Sequence, residues 1–512
     1  MSRNAEVNKI FGLFTLFSPF LTWVVVAKKM EYARVTKPKI KGIIELIPNT
    51  FEHPLLYIIP IVVFILAIIA WILAVKLNDP DFKGYKYDYR LRGSEIVSAK
   101  KLNELTTIKN RKQAVFATIK MPLDVENLQT LIVGATGSAK TLILTYAIYS
   151  ILLRGDRQII VDPDGTFLSM FYKDGDVILN PFDARSPGWS IFNEFRELYD
   201  FDTYSYSLVP LGKSSQEEEW NGYGRLLVCE VAKKLHENNN ASFDQLFDWC
   251  LSASEEDLEE FCKGTRAEAL FIGTDKTIGS ARFVLSNKLS SHMYMPDGDF
   301  SLRDWLADDT GGNLYITWTE DQVAPLKPLI STFVDVICNA ILSLPVDPKR
   351  IMWLHTDELA TLDKLNALMP SCTKGRKKGL RIVSCIQAMS QLDSIWGKDD
   401  AITLRSCYRN LIALGGARSD EITPEILSKA LGELDIVRKH ESKTQADRSS
   451  SRNNSERGEK DRLVTAAEIS NLPDRQGYVA FTRGYPVAKV TVPITNFKIR
   501  HEGFVPRKVF GG

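Results

Sequence analysis

The chain has 512 residues, with 64 lysines and arginines against 63 aspartates and glutamates, so its formal net charge is +1. Its 45% hydrophobic and 25% charged residues are typical of globular proteins and exclude a wholly disordered or fibrous chain. The balanced charge excludes a uniformly basic nucleic-acid coat but leaves room for a local basic channel. Seven cysteines without a CxxC pair and six dispersed histidines offer no metal-ligand spacing, so we expect reduced thiols.

Two apolar runs lie near the N-terminus. Residues 54–76 carry no acidic side chain and as a helix would span about 35 Å, enough for the hydrocarbon core of a bilayer. Residues 10–27 are less uniform, and a signal peptide is the alternative, but no small-residue cleavage site follows. The sequence therefore predicts a transmembrane anchor over residues 1–80, with a short loop between two spans. Basic residues on the two sides are nearly equal in number, so charge does not decide the orientation.

From about residue 110, short apolar runs alternate with helical patterns. Most of the runs lack polar alternation, which is typical of strands covered on both faces in a parallel α/β sheet. The predicted strands are 114–119, 130–134, 157–162, 313–318, 350–355, 381–387 and 410–415. We assign 81–185 and 299–512 to this α/β domain.

Two segments interrupt the α/β pattern. Residues 186–298 show helical periodicity without strand signals, which predicts an all-α domain inserted into the α/β domain. Residues 437–462 are polar and rich in serine and arginine, and we expect a mobile loop or a long ribbon there.

The strongest local motif is GATGSAKT, between a predicted strand and a helical stretch. This context predicts a phosphate-binding P-loop for ATP, although a simple turn before a helix is the alternative. Consecutive backbone N–H groups and the helix dipole would hold phosphate oxygens. Lys140 would neutralise the β- and γ-phosphates, and the Thr141 hydroxyl would bind Mg²⁺. The predicted nucleotide-binding residues are Gly134, Ala135, Thr136, Gly137, Ser138, Ala139, Lys140 and Thr141, of which Ala139 replaces the usual glycine.

A second acidic element follows the predicted strand 350–355. Asp357 would hold Mg²⁺ through its water shell, and Glu358 would orient and deprotonate the attacking water. An Asp-Glu pair is by itself more often a solvated helix start, but together with a P-loop it predicts a Walker B element. His355 and Thr356 interrupt the apolar run that usually precedes this pair.

Three further features lie near the predicted site. Arg376, in the basic stretch 373–381, is a candidate arginine finger for a neighbouring subunit. The same stretch could instead face a DNA backbone or be a solvated loop. Gln387, at the end of a predicted strand, is a candidate sensor of the γ-phosphate or a plain polar strand end. The DPDG sequence at 162–165 lies beside the site or forms a turn.

Long ordered segments resemble the conjugative type IV coupling proteins, the TrwB/TraD-like family of membrane-anchored DNA-transfer ATPases. They include LLRGDRQIIVDPDG, VILNPFDARSPGWSIFNE, DELATLDKL, TKGRKKGLRIV and AEISNLPD. The resemblance implies a RecA-like P-loop domain with an all-α insertion and a two-helix transmembrane anchor. It also implies a hexamer in the bacterial inner membrane, multi-pass, with the N-terminus and ATPase body in the cytoplasm and the short loop in the periplasm.

The resemblance also implies a function. It gives Lys140, Asp357, Glu358, Arg376 and Gln387 catalytic roles with ATP and Mg²⁺, Arg376 as the finger and Gln387 as the sensor. The leading hypothesis is a DNA-dependent ATPase that couples the relaxase in its relaxosome to a type IV secretion channel and drives single-stranded DNA transfer. One alternative is a double-stranded DNA translocase. The other is a membrane receptor that binds nucleotide and relaxase without motor activity.

Overall fold

The computed structural model describes residues 3–29, 50–78, 89–272, 276–308, 310–446 and 449–508. The chain divides into two compact units, Met1–Asp88 and Tyr89–Gly512.

In the described residues of the first unit, 3–29 and 50–78, there are two helices, α1 (Arg3–Lys29) and α2 (Pro54–Asn78). They contain the predicted spans 10–27 and 54–76. Ala27 and Leu56 are buried, and the Trp23 Nε1–H donates to Thr50 Oγ1 at 3.0 Å. Pro54–Leu73 is long and apolar enough to cross a membrane, with a mean hydropathy of 3.0 and only 17% of the window buried. Most of the predicted loop between the spans lies outside the described residues.

The second unit is built on a ten-stranded sheet in the order β2-β15-β14-β11-β5-β10-β9-β6-β8-β7. From β11 to β7 neighbouring strands are parallel, while β14 pairs antiparallel with both β11 and β15. The strands are β2 (Ile96–Ser98), β5 (Thr130–Val133), β6 (Arg157–Pro163), β7 (Val177–Leu179), β8 (Leu314–Trp318), β9 (Met352–Thr356), β10 (Leu380–Ile386), β11 (Asn410–Leu414), β14 (Gln476–Ala480) and β15 (Val487–Thr491). The strands from β11 to β7 form the parallel α/β sheet that the sequence predicted, and β14 makes the sheet mixed at its other side.

The sheet is covered on both faces because its central strands are apolar on both sides. Leu131 and Val133 of β5 belong to one hydrophobic cluster, and Ile132 between them belongs to another. Helices that cover the sheet or lie at its ends are α3 (Ala99–Thr106), α4 (Lys140–Arg154), α5 (Thr166–Phe171), α11 (Leu302–Ala307), α12 (Val323–Ser343), α13 (Leu368–Lys374), α14 (Met389–Trp396), α15 (Lys398–Cys407), α16 (Ile422–Leu431) and α17 (Ala466–Ser470). The window Glu320–Ser343 is also apolar enough to span a membrane, but 72% of it is buried in this core.

The region predicted to be helical contains α6 (Tyr199–Leu208), α7 (Ser215–Glu237), α8 (Phe243–Phe247), α9 (Glu255–Cys262) and α10 (Lys276–Leu289). Short 3-10 turns and one π turn join them. Its apolar side chains, among them Val228 and Leu285, share one cluster with Leu131 of the sheet. The helical content is as predicted. The boundaries 186–298 of a separate domain stay a prediction.

The polar segment 437–462 forms most of a ribbon of two antiparallel strands, β12 (Glu433–Ala446) and β13 (Ser449–Arg462), which is the second of the two predicted alternatives. A short strand, β1 (Tyr89–Gly93), pairs with the base of β12.

The prediction of a strand over 114–119 is wrong. The chain turns at Ala117, which has a φ of +57°, so the run is divided into a two-residue hairpin of β3 (Val115–Phe116) and β4 (Ile119–Lys120). All seven cysteines are free and six of them are buried, in agreement with the expected reduced thiols.

Candidate nucleotide-binding site

The predicted site residues meet at the carboxyl edge of the parallel strands. The P-loop follows β5, Asp357 follows β9 and Gln387 follows β10, and these three strands are neighbours in the sheet. Parallel sheets of this kind bind ligands outside the carboxyl ends of their strands. A cleft of about 1430 Å³ opens at this edge, and its lining includes Lys140, Thr141, Asp357, Glu358 and Gln387.

The P-loop runs from Gly134 to the first turn of α4. A Cβ on Gly134 would lie 2.5 Å from Ser138 Oγ and 2.6 Å from Leu414 Cβ, so this position has no room for a side chain. Gly137 adopts a φ of +79°, which glycine tolerates without cost. Helix α4 starts with no side chain capping its first amides. Those N–H groups and the helix dipole are therefore available to an anion.

Ala139 has a left-handed backbone conformation, with φ +85° and ψ +26°. The Cβ of an L-residue is strained in this region, which is the physical reason that glycine is usual at this position. The loop nonetheless keeps the P-loop shape, and the Ala139 carbonyl accepts the first α4 hydrogen bond from Ile143 N at 3.1 Å.

The Lys140 side chain folds back over the loop. Its Nζ donates to the carbonyl oxygens of Gly134, at 2.9 Å, and Ala135, at 3.3 Å. The ammonium is thus held above the loop, where the phosphates of a bound nucleotide would lie.

Thr141 and Asp357 are in direct contact. The Thr141 hydroxyl donates to Asp357 Oδ2 at 2.9 Å, and Asp357 Oδ1 lies 3.2 Å from the same oxygen. Burial raises the pKa of Asp357, while the Thr141 hydrogen bond and the charge of Lys140 act in the opposite direction. A hydroxyl and a carboxylate side by side are the oxygen ligands that Mg²⁺ prefers when it also keeps water and phosphate ligands. The pair therefore fits the predicted metal site.

Glu358 is positioned by Gln387. Gln387 Nε2–H donates to Glu358 Oε2 at 2.9 Å, and the Thr136 hydroxyl donates to Gln387 Oε1 at 3.2 Å. Glu358 Oε1 is buried and has no partner in the described part of the chain. Burial raises the pKa of Glu358, opposed by the Gln387 hydrogen bond and by Lys140. A carboxylate with a raised pKa and one unpaired oxygen suits a general base.

His355 and Thr356 are fully buried on β9. The His355 ring stacks on Trp353 with centroids 5.8 Å apart, and burial lowers its pKa to about 3. The strand thus buries an uncharged imidazole before Asp357, and neither ring nitrogen has a hydrogen-bond partner among the residues that the structure describes.

Arg376 is the predicted site residue that lies away from the others. It is exposed, in the 3-10 turn Gly375–Lys378 that follows α13, and it is not among the residues that line the cleft. Within one chain it therefore does not reach the nucleotide site.

Sequence reasoning missed the C-terminal part of the cleft. Thr495, Asn496, Phe497, Ile499, His501, Glu502 and Gly503 line it, with Arg475. The segment is held by Arg500 N and His501 N, which donate to the Ser169 carbonyl at 2.9 and 3.0 Å. The residues carry no motif and lie some 350 positions after the P-loop, so no local signal points to them.

The predicted location of the DPDG segment is confirmed, since Pro163, Asp164 and Gly165 line the cleft and a Cβ on Gly165 would lie 2.2 Å from the Gly503 carbonyl oxygen.

Similarities to known proteins agree with this geometry. Residues 113–493 match the family model described as the type IV secretion-system coupling protein DNA-binding domain. The coupling protein TraD of Escherichia coli (strain K12) is 30% identical over 393 residues, which cover 73% of this chain and 54% of TraD. The chain thus spans about half the length of this curated relative.

Two solved structures of the plasmid coupling protein TrwB, one in complex with ADP and Mg²⁺ and one with the non-hydrolysable ATP analogue ADPNP, are 48% identical to this chain. Each has a TM-score of 0.77 and covers 83% of this chain and 99% of its own. The match confirms the predicted RecA-like fold class. The chain belongs to the family of type IV secretion-system coupling proteins.

Proposed function

We propose that this chain is a membrane-anchored ATPase that couples the relaxosome to a type IV secretion system and drives single-stranded DNA transfer in bacterial conjugation. The observation that carries the proposal is the arrangement of Thr141, Asp357, Glu358 and Gln387 beneath a P-loop. A family defined by a DNA-binding domain and the nucleotide complexes of the similar TrwB support it.

ATP and Mg²⁺ are the proposed ligands of the cleft. The loop amides and Lys140 would hold the phosphates, and Thr141 and Asp357 would hold the metal ion. Mg²⁺ supplies neutralisation of the phosphate charge. Glu358 takes a proton from the attacking water at its unpaired Oε1, and Gln387 fixes the carboxylate through Oε2. Residues 134–141 thus bind the nucleotide, Thr141 and Asp357 hold the metal ion, Glu358 deprotonates the water and Gln387 orients Glu358.

The ATPase part is tested by Glu358→Gln. Removal of a general base lowers turnover by about 10²- to 10⁴-fold while the amide still hydrogen-bonds, so we expect nucleotide affinity to change little. Glu320→Gln is the matched control, because Glu320 lines the same cleft and has no proposed role. Steady-state ATP hydrolysis and equilibrium binding of a fluorescent ATP analogue separate the two effects. Turnover in Glu358→Gln equal to that of the control would contradict the assignment.

The motor part is tested by comparing nucleic acids. A single-stranded DNA motor is stimulated more by single-stranded than by double-stranded DNA, whereas a double-stranded translocase shows the reverse order. If the chain binds nucleotide but does not hydrolyse it under any assembly condition, the alternative function is favoured, a receptor for relaxase and secretion components. The strained backbone at Ala139 is the observation that favours this second candidate.

For the architecture we propose that α1 and α2 cross the inner membrane, with the N-terminus and the ATPase body in the cytoplasm. Residues 81–185 with 299–512 form the nucleotide-binding domain, and 186–298 form the all-α domain. Six copies assemble into a ring in which Arg376 reaches the site of the neighbouring subunit. The exposure of Arg376 outside its own cleft supports this arrangement.

A further inference from the structure

A second pocket lies between the helical region and the segment that follows β9. Its volume is about 200 Å³. Its charged lining residues come from α7 and the turn before it, from α10, from α12 and from the stretch just after Glu358. They are Lys213, Glu217, Lys288, Lys327, Asp363 and Lys364, and we call the site the lysine pocket.

Asp363 is shared by two lysines. The Lys288 ammonium forms an ion pair with Asp363 Oδ2, and Lys327 Nζ lies 3.6 Å from Asp363 Oδ1. One carboxylate therefore stands between two positive charges, whose side chains are 23% and 36% exposed. The two ammonium groups thus carry one more positive charge than the carboxylate that they share.

The other two lysines, Lys213 and Lys364, have one uncharged and one charged partner. Lys213 Nζ donates to the uncharged Ser394 carbonyl at 2.6 Å. Lys364 Nζ pairs with Asp400 at 3.0 Å. The Glu217 carboxylate contacts the turn before α7, where its Oε2 accepts a hydrogen bond from Lys213 N at 3.0 Å. Even when Asp400 is counted, positive groups at the pocket exceed negative ones by one.

We propose that the lysine pocket binds a phosphate group of a nucleic-acid backbone. Ammonium groups act as point charges toward phosphate, and their contacts are independent of base sequence. The rest of the lining is aliphatic, for example Leu211 and Ile395, apart from the amide of Asn221, and it contains no aromatic ring on which a base could stack. Backbone recognition is what a protein that moves DNA of any sequence requires. This inference rests on the proposed function.

The pocket is joined to the nucleotide site by one short hydrogen-bonded turn. The Glu358 carbonyl accepts from Thr361 N at 3.3 Å and from Thr361 Oγ1 at 2.8 Å. Two residues later, Asp363 N donates to Ser331 Oγ at 2.8 Å, which fixes the end of the turn to α12. A phosphate that draws Lys288 and Lys327 away from Asp363 thus acts on the segment that carries Glu358. We expect nucleic acid in the pocket to change ATP turnover.

The experiment uses the full chain in detergent and measures fluorescence anisotropy of a short single-stranded oligonucleotide over a series of salt concentrations. Lys288→Gln/Lys327→Gln should raise Kd about ten-fold. It should also make the slope of log K against log[salt] shallower by about 0.7 for the lost phosphate contact. Asp363→Asn should do the opposite and tighten binding, since it removes the competing carboxylate. The matched control is Lys101→Gln/Lys263→Gln, which removes two exposed lysines that each sit beside one glutamate.

Each outcome decides the matter. Weaker binding in the lysine variant, tighter binding in Asp363→Asn and a control close to wild type support the pocket, as does loss of DNA stimulation with unchanged DNA-free ATP turnover. If the lysine variant and the control variant bind the oligonucleotide equally well, the proposed phosphate site is wrong. If the double variant unfolds, binding by the single variant Lys327→Gln is compared with the control instead. Equal competition by inorganic phosphate at matched phosphate concentration would show a free-anion site instead. Selective competition by polyglutamate would show a site for an acidic peptide. If wild type binds no nucleic acid, the proposed function itself fails.

Discussion

Ala139 places an L-residue where the backbone of the P-loop bends through the left-handed region. Gly137, two residues earlier, has a similar φ without a Cβ to strain. The loop therefore keeps its conformation although the backbone of Ala139 is strained. Folds keep such strain only where the surroundings determine the conformation, and here β5 and α4 fix both ends of the loop.

Ala139→Gly relieves this strain. The relief is about 1 kcal/mol, the usual cost of one non-glycine residue in the left-handed region, and the freedom that glycine adds to the unfolded chain offsets part of it. We therefore expect the variant to be more stable than wild type and about 1 kcal/mol more stable than Ala135→Gly. Ala135→Gly is the control, because Ala135 has no positive φ and a glycine there only adds freedom to the unfolded chain. Urea unfolding of the detergent-solubilised chain measures both. A variant at 139 that is no more stable than wild type would contradict the assigned strain.

His355 gives a second prediction at the same scale. Its pKa is lowered by burial to about 3, against about 6.5 in an unfolded chain. Between these values the unfolded state binds more protons, so this residue's contribution to stability is present above pH ~6.5 and decreases as the pH falls. His355→Leu removes the proton site. Its stability relative to wild type should therefore grow by about 1.4 kcal/mol per pH unit below pH ~6.5.

Unfolding of the two proteins at several pH values between about 7 and 5 measures this growing difference. Leu354→Met is a matched change at the neighbouring buried position, and it should shift stability equally at every pH because no titrating group is altered. A difference between His355→Leu and wild type that does not vary with pH would show that the histidine is not held neutral.

At the scale of elements, the sequence predicted what depends on local patterns. Apolar runs such as Leu131–Val133 identified the buried central strands, and the P-loop motif identified the turn from β5 to α4. Short strands at the sheet margins were missed, among them β7 with three residues and the antiparallel pair β14 and β15. β14 and β15 form a local hairpin, but they join the sheet through β11 and β2, and β7 joins it through β8. These partner strands are far away in the chain, and no local period encodes such pairing. The C-terminal residues that line the cleft, 495–503, were not predicted for the same reason, and we call them the C-terminal wall.

Phe497 allows this wall to be tested. Its ring packs at 5.7 Å from Tyr146, 5.3 Å from Tyr149 and 5.6 Å from Phe171, which joins the C-terminal segment to α4 and α5. Phe497→Ala should cost about 2 kcal/mol of stability and raise KM for ATP several-fold, because the wall loosens. Ile494→Ala is the control, since Ile494 belongs to the same segment but is 68% exposed. Equal effects of the two substitutions in unfolding and ATPase assays would contradict the role of the wall.

At the scale of the whole molecule, one chain brings together Lys140, Asp357, Glu358 and Gln387 but leaves Arg376 outside their cleft. Charge stabilisation by an arginine is a large part of catalysis in many P-loop enzymes. The basic stretch around Arg376 could be found in the sequence, but the proposed partner in a neighbouring copy could not, because a contact between copies leaves no pattern within one copy. The hexamer and the finger thus depend on each other and are tested together.

Mixing two inactive variants decides whether Arg376 acts between subunits. Lys140→Ala lacks the phosphate lysine but retains Arg376, and Arg376→Ala has the reverse defect. If Arg376 completes a neighbour's site, an equal mixture contains interfaces in which an intact Lys140 meets an intact Arg376. Random assembly then restores about one quarter of the wild-type interfaces and a corresponding ATPase rate. Lys377→Ala in place of Arg376→Ala is the control, since it removes an exposed neighbouring charge and should be active without mixing. If Arg376 acted within its own chain, every mixed site would lack one of the two residues and the mixture would stay inactive, even where mass photometry shows that mixed rings have formed.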